Sequence, residues 1–211
     1  MQKKQKLQAP TGMHDILPED QPYFEKVYTT AKELATFYGF SRIDTPLVED
    51  AKVYEKGTGA TTDIVEKQMF LLRTKGGDVL ALRPEFTPGI ARAYLQHGMI
   101  NLPQPVKLYT SGPLFRYEHP QAGRYRQFHQ FDLEVLGDES PAIDAQVIQI
   151  FYSLLKELKI PHLTIEVNSI GDSQCRPYYK KLLVNFLRTR QYSLCQDCRR
   201  RMKTNPLRIL D

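Results

Sequence analysis

The sequence predicts an α+β fold built on an antiparallel sheet, and three observations carry that expectation. Residues 69–73 and 79–83 are apolar-rich runs on either side of Lys75-Gly76-Gly77-Asp78, the pattern of a hairpin with a glycine turn. Two further strand candidates, 106–110 and 127–136, have no helical pattern between them. Helices stand before and after these strands rather than alternating with them, which disfavours a doubly wound parallel sheet.

The elements follow in order. Phe24, Val27, Tyr28, Ala31, Leu34 and Ala35 recur three or four apart, placing a helix over 22–37 with Asp20 to cap it and Gly39 to end it. A strand over 40–44 runs into Thr45-Pro46, where proline offers no ladder donor, so it should stop or lie at an edge. After Pro88, the residues Ile90, Ala93, Tyr94 and Leu95 mark a helix that ends before Gly98. The stretch 113–126 is a cationic loop rich in Pro and Gly. Ile143, Val147, Ile150, Phe151 and Leu154 give the apolar side of a helix over 142–158; a strand over 162–167 and a helix over 178–187 complete the expectation.

Composition narrows the function. With 41% hydrophobic and 25% charged residues over 211 positions, the chain can bury a core, which excludes disordered and collagen-like classes. No apolar run approaches the ~20 residues that span a bilayer, and the first six residues are polar rather than the start of a signal peptide. Three cysteines, an odd number, fit a reducing compartment, so the expectation is a cytoplasmic protein. The net charge of +5 suits a polyanionic partner. Neither Gly-x-Gly-x-x-Gly nor Gly-x-x-x-x-Gly-Lys-Ser/Thr occurs, so a nucleotide must be held by side chains.

The side chains suited to that task concentrate between Phe115 and Glu134. Arg116, Arg124 and Arg126 can meet phosphate oxygens bidentately, and a neighbouring aromatic ring can stack on a purine. Strand alternation puts Phe128, Gln130, Asp132 and Glu134 on one sheet face and His129, Phe131, Leu133 and Val135 on the other. Acidic and amide groups facing inward need partners; the alternative is that this face meets water. Cys195-Gln-Asp-Cys198 with Cys175 falls short of the four ligands of structural zinc, and no protein metal site is expected. The run 199–203, Arg-Arg-Arg-Met-Lys, reads either as a solvated helix face or as a contact to tRNA phosphate.

Phe115-Arg-Tyr-Glu118, followed by Gly123-Arg-Tyr-Arg-Gln-Phe-His-Gln130, resembles motif 2 of the class II aminoacyl-tRNA synthetases in the form of the histidyl-tRNA synthetase family. Four other blocks agree in order: Pro10-Thr-Gly-Met-His-Asp15, Gly39-Phe-Ser-Arg-Ile-Asp-Thr-Pro46 as motif 1, Leu82-Arg-Pro-Glu-Phe-Thr87, and Asn205-Pro-Leu-Arg-Ile-Leu-Asp211. The resemblance implies a class II antiparallel catalytic sheet flanked by helices, binding ATP with Mg2+ and histidine, forming histidyl-adenylate and charging tRNA(His) as a homodimer. It implies Arg116 on the α-phosphate as the catalytic residue, Arg124 near the γ-phosphate, Glu118 on the adenine edge and Phe128 stacked on adenine. For histidine it implies Glu85 and Thr87 at the ammonium group and Gln130 and Glu134 in the pocket, with Glu134 on the imidazole; Pro46 falls at the dimer interface.

On the same resemblance, 1–168 form the catalytic core and 169–211 begin an inserted helical segment. Motif 3, the glycine-rich histidine signature with its arginine, and the anticodon-binding domain are not in this sequence. The expectation is therefore a truncated part unable to complete the reaction alone. Two alternatives share the scaffold: a synthetase-like regulatory subunit of ATP phosphoribosyltransferase, and a synthetase-like sensor module of a larger kinase. The intact motif 2 argues against the first, and no kinase signature is present for the second.

Overall fold

The first helix forms where its apolar spacing places it. In the computed structural model, which describes residues 7–59, 62, 64–169 and 171–210, α1 runs Gln21–Phe37 and buries Thr30, Ala31 and Ala35. Asp20 holds the cap position, but its side chain makes no capping bond. Its own backbone is already in the helical region, whereas a side-chain cap needs an extended residue there; Pro22 in the first turn also leaves one fewer N–H to satisfy.

The chain divides into two units, Met1–Leu163 and Thr164–Asp211. In the first, α1 is followed by β1 (Ser41–Arg42), β2 (Val48–Asp50), α2 (Ala51–Thr58), β3 (Leu71–Arg73), β4 (Val79–Leu82), α3 (Thr87–Gln96), β5 (Val106–Phe115), β6 (Gln127–Leu136) and α4 (Pro141–Glu157). In the second, α5 spans Arg176–Arg188 and α6 spans Gln196–Thr204. Residues 1–6, Ile170 within the segment 169–211, and Asp211 at the end of the last sequence block lie outside the described residues.

Two three-stranded sheets organise the first unit. One has the order β1-β5-β6 and the other β2-β4-β3. The glycine hairpin pairs β3 with β4 antiparallel, Leu71 opposite Ala81 and Arg73 opposite Val79. β5 and β6 pair antiparallel over their whole length, from Val106 opposite Leu136 to Phe115 opposite Gln127. β1 is a short edge strand before Pro46, and it runs parallel to β5.

Three differences from the sequence expectation have physical causes. β5 continues past Thr110 through Gly112-Pro113, residues that read as strand breakers, because its pairing with β6 is uninterrupted. β2 and α2 were unforeseen; Asp50 caps α2 by accepting from the Lys52 N–H at 2.9 Å. Residues 162–167 form no strand, since no neighbouring strand pairs with them among the described residues, and Ile165 and Val167 stay exposed.

The β5/β6 sheet has packed partners on both faces. Tyr109 and Leu133 on one face join Ala35, Phe40 and Ile150 in a core between α1 and α4. Leu108 and Leu114 on the other pack with Phe86 and Ile90 at the start of α3. Arg83 ties this second layer together: it is 5% exposed, its Nε donates to the Pro113 carbonyl at 2.9 Å and its Nη1 to the Thr45 carbonyl at 2.9 Å. Its backbone N–H donates to the Leu47 carbonyl at 2.9 Å and its own carbonyl accepts from Phe115 at 3.0 Å, while the guanidinium lies 4.6 Å from the Phe86 ring centre. Gly112 makes room for it, because a Cβ there would stand 2.8 Å from Arg83 Nη2.

Replacing this side chain leaves buried carbonyls unpaired. Arg83→Met is expected to cost about 3 kcal/mol of stability, the scale of lost charged hydrogen bonds; the urea unfolding midpoint measures it, and a midpoint equal to the parent's contradicts it.

Candidate active site

Residues directly opposite in an antiparallel ladder share a face, so the β5/β6 register lays out the floor of the site. Leu114 pairs with Phe128 at one end and Val106 with Leu136 at the other; Gly112–Gln130, Thr110–Asp132 and Leu108–Glu134 lie between. Phe86 and Ile90 cover the apolar residues of this face. The face is therefore neither wholly polar nor simply wet: a polar window opens in an apolar surround. The Thr110 hydroxyl, opposite Asp132, is buried without a hydrogen-bond partner.

The ends of helices bring further groups to the window. Glu85 precedes α3 and its Oε1 accepts from the Thr58 hydroxyl at the end of α2, at 2.6 Å. Thr87 in the first turn of α3 donates its hydroxyl to Glu134 Oε1. Burial pushes Asp132 up to about 7, helped by the charge of Glu134, a hydrogen bond with it and the charge of Glu85. Three carboxyl groups with two threonine hydroxyls thus form an anionic cluster that suits a ligand bearing nitrogen donors.

The cationic groups lie on the adjoining side. Arg116, the residue after β5, donates from Nε to the Pro84 carbonyl at 3.0 Å, one residue before Glu85, and its guanidinium is 5.2 Å from the Phe128 ring centre. Glu118 and Arg124 form an ion pair in which Glu118 is nearly buried and Arg124 mostly exposed. Arg126 donates from Nε to the Glu118 carbonyl at 3.0 Å and lies 4.1 Å from the Tyr117 ring centre.

The N-terminal block Pro10-Thr-Gly-Met-His-Asp15 fastens this loop. The Gly12 carbonyl accepts from both Arg126 and Gln127, at 2.7 and 3.2 Å. Gly12 has φ +79° and a Cβ there would meet Arg126 Cγ at 3.0 Å, so only glycine fits the approach. His14 packs edge-on against Tyr125 at 4.7 Å.

Of the residues read from sequence, Arg116 sits with Phe128, Glu118 with Arg124, and Thr87 with Glu134, while Gln130 lies half-buried opposite Gly112. Pro46 is exposed, between Thr45 and Leu47, two of the three residues whose carbonyls hold Arg83. His129 belongs to the other face, its ring 5.4 Å from Phe24, and burial lowers its pKa. Sequence reasoning gave no role to Asp132, although its place in the alternating row marked it. It missed Thr58 altogether, a residue brought to Glu85 across 27 positions by packing alone.

The family model for histidyl-tRNA synthetase matches residues 12–172, a span that contains every one of these candidate residues. The chain belongs to the histidyl-tRNA synthetase family. It is 47% identical over 204 residues to a histidine–tRNA ligase of Dehalococcoides mccartyi, covering 97% of this chain and 49% of that protein. Among solved structures it resembles apo histidyl-tRNA synthetase of S. aureus, with TM-score 0.76 and 35% identity over 97% of this chain and 48% of that one. A protein of Bacillus halodurans described as an ATP phosphoribosyltransferase regulatory subunit/histidyl-tRNA synthetase shares the fold, with TM-score 0.69 and 23% identity over 96% of this chain and 56% of that one. The chain spans about half the length of the curated relatives it matches. The architecture is the mixed α+β fold of class II synthetase-like domains, and no helix among the described residues is long and apolar enough to cross a membrane.

The acidic cluster makes stability depend on pH. Folded Asp132 keeps its proton up to about 7, whereas in the unfolded chain it is released around the ordinary 3.8. Between those values the folded state holds the extra proton, so stability declines as pH rises through the folded pKa. Asp132→Asn is expected to flatten that decline, checked by urea midpoints at pH values on either side of the window; an unchanged pH slope contradicts it.

Proposed function

We propose that this chain supplies the ATP- and histidine-binding surfaces of a histidine–tRNA ligase. The observation that carries the reading is the Arg116–Pro84 hydrogen bond, which puts a phosphate-gripping arginine beside the block that holds Glu85 and Thr87. Cations for a nucleotide and anions for an amino acid then adjoin, as a reaction joining the two requires.

In that reaction a carboxylate oxygen of histidine attacks the α-phosphorus of ATP, the bond to the β-phosphate oxygen breaks and pyrophosphate leaves, giving histidyl-adenylate; the histidyl group then passes to the terminal adenosine of tRNA(His). No protein nucleophile takes part, so catalysis rests on alignment and on stabilising charge on phosphate. Arg116 holds the α-phosphate and Phe128, already beside its guanidinium, stacks on adenine. Glu118 reads the adenine edge, and the mostly exposed Arg124 leaves its ion pair for the γ-phosphate as the adenine amino group takes its place on the nearly buried Glu118. Magnesium would enter as part of the ATP substrate and supply charge neutralisation on its phosphates. No group of three or more His, Cys, Asp or Glu that could hold a metal ion stands among the described residues.

Glu85 and Thr87 receive the ammonium group, and Gln130 and Glu134 receive the imidazole. An apolar isostere would cover the Glu134 carboxylate without offering it a donor, which penalises it. Pro46, exposed with Leu47 and Val48, is offered to a second copy in a homodimer. We assign 1–168 to the catalytic core and 169–211 to the start of an inserted helical segment. Ten of the 29 Lys and Arg residues but only four of the 24 Asp and Glu residues fall in Thr164–Asp211. This segment therefore carries the basic surface for tRNA phosphate. The regulatory-subunit alternative rests on shared fold alone, and the retention of Arg116, Glu118, Arg124 and Phe128 favours the ligase reading.

Calorimetry on the purified chain tests the nucleotide half: Arg116→Ala is expected to weaken ATP binding at least about tenfold, the worth of a charge-assisted contact. Equal affinities contradict the assignment. For the amino-acid half, Glu134→Gln is expected to weaken histidine binding by a similar factor with ATP affinity unchanged; loss of both together would place Glu134 in the scaffold instead.

A further inference from the structure

The second unit carries two thiols at the start of one helix, and the proposed ligase chemistry uses neither. Cys195 is the N-cap residue of α6 and Cys198 lies in its first turn, where the Cys198 backbone N–H donates to Cys195 Sγ at 3.4 Å. Both are free, Cys195 exposed and Cys198 partly covered. A hydrogen bond from the helix's own amide, together with the positive end of the helix, favours the thiolate of Cys195.

The two sulfurs respond in opposite directions. The Cys198 N–H and then the Cys198 thiol hold Cys195 below its ordinary value. Cys198 is pushed above its own, first by the hydrogen bond with Cys195 and then by desolvation. This pairs an activated thiol with a neighbour that keeps its proton. Cys175 provides an internal contrast: it too precedes a helix, α5, yet its side chain makes no capping bond to that helix, and its sulfur accepts from the Asp172 N–H at 3.3 Å instead.

We propose that Cys195 and Cys198 form a dithiol–disulfide modification site that reacts with low-molecular-weight disulfides, Cys195 attacking and Cys198 resolving. The Cys195 thiolate attacks one sulfur of R–S–S–R; a Cys195–S–S–R bond forms, the original S–S bond breaks, and one R–S⁻ leaves and takes up the proton Cys195 gave to solvent. Cys198 then loses its proton and attacks Cys195 Sγ, expelling the second R–S⁻, which is protonated in turn. Two electrons and two protons pass from the cysteine pair to one small disulfide, which becomes two thiols. The resulting bond would join the N-cap of α6 to its first turn.

The test treats the 211-residue chain carrying Cys175→Ser with glutathione disulfide and follows intact mass and peptide mass. The expected product has lost two hydrogens, with the link mapped between residues 195 and 198. In that background Cys198→Ser should accumulate a single glutathione adduct at Cys195. Cys195→Ser should form an adduct at Cys198 at least about tenfold more slowly, because Cys198 is more covered than Cys195 and does not hold the helix-capping position. Serine caps a helix well, so both variants retain the start of α6, and circular dichroism checks that they do. Absence of the two-hydrogen loss under excess disulfide, a link only between separate molecules, or equal adduct rates in the two variants would each overturn the proposal.

Discussion

The first unit depends on a cation with no carboxylate in its hydrogen bonds. Arg83 is nearly excluded from water, and its side-chain donors go to the carbonyls of Thr45 and Pro113. Its backbone continues the work, donating to Leu47 and accepting from Phe115. One residue thereby connects the segment around Pro46, the end of β4 and the far half of β5. Burial lowers its pKa, but guanidinium starts so high that it remains charged, which lysine in the same place would do less securely.

The site inherits its geometry from that junction. Arg83 and Pro84 lead directly to Glu85 and Thr87, so whatever fixes Arg83 fixes the start of the acidic cluster, and the Pro84 carbonyl holds Arg116. The opposing signs need this rigidity. Arg116 is tied to the residue before Glu85, yet the arginine is held by a backbone carbonyl and a ring, and the glutamate by a threonine. Each charge is oriented by a neutral partner and remains available to a ligand. Preorganisation of this kind stabilises developing charge without reorganisation during reaction.

The loop between β5 and β6 follows a different logic. Arg124 is exposed and paired to Glu118, while Arg126 is held over Tyr117 and its backbone is bound by Gly12. A fixed arginine and a releasable one in a single loop suit a ligand that must enter before it is clamped. The two cysteines of α6 add a chemistry independent of this site, set by the amide of one short helix.

By itself, the sequence determined most of the elements and the sheet class, because these rest on local periodicity: the apolar spacing of α1 and α4, the glycine hairpin, and the alternation along β6. It also placed Arg116, Glu118, Arg124 and Phe128 in one segment, where nearness in the chain ensures nearness in space. The exceptions mark where local signals are overruled: Gly112-Pro113 reads as a break yet stays in strand, and residues 162–167 alternate like a strand yet find no partner. Tertiary structure alone decided that Thr58 meets Glu85, that Asp132 shares a proton environment with Glu134, and that Arg83 is buried where Gly112 leaves space. Those facts depend on contacts between residues far apart in the chain, and on burial, which no single segment's pattern encodes.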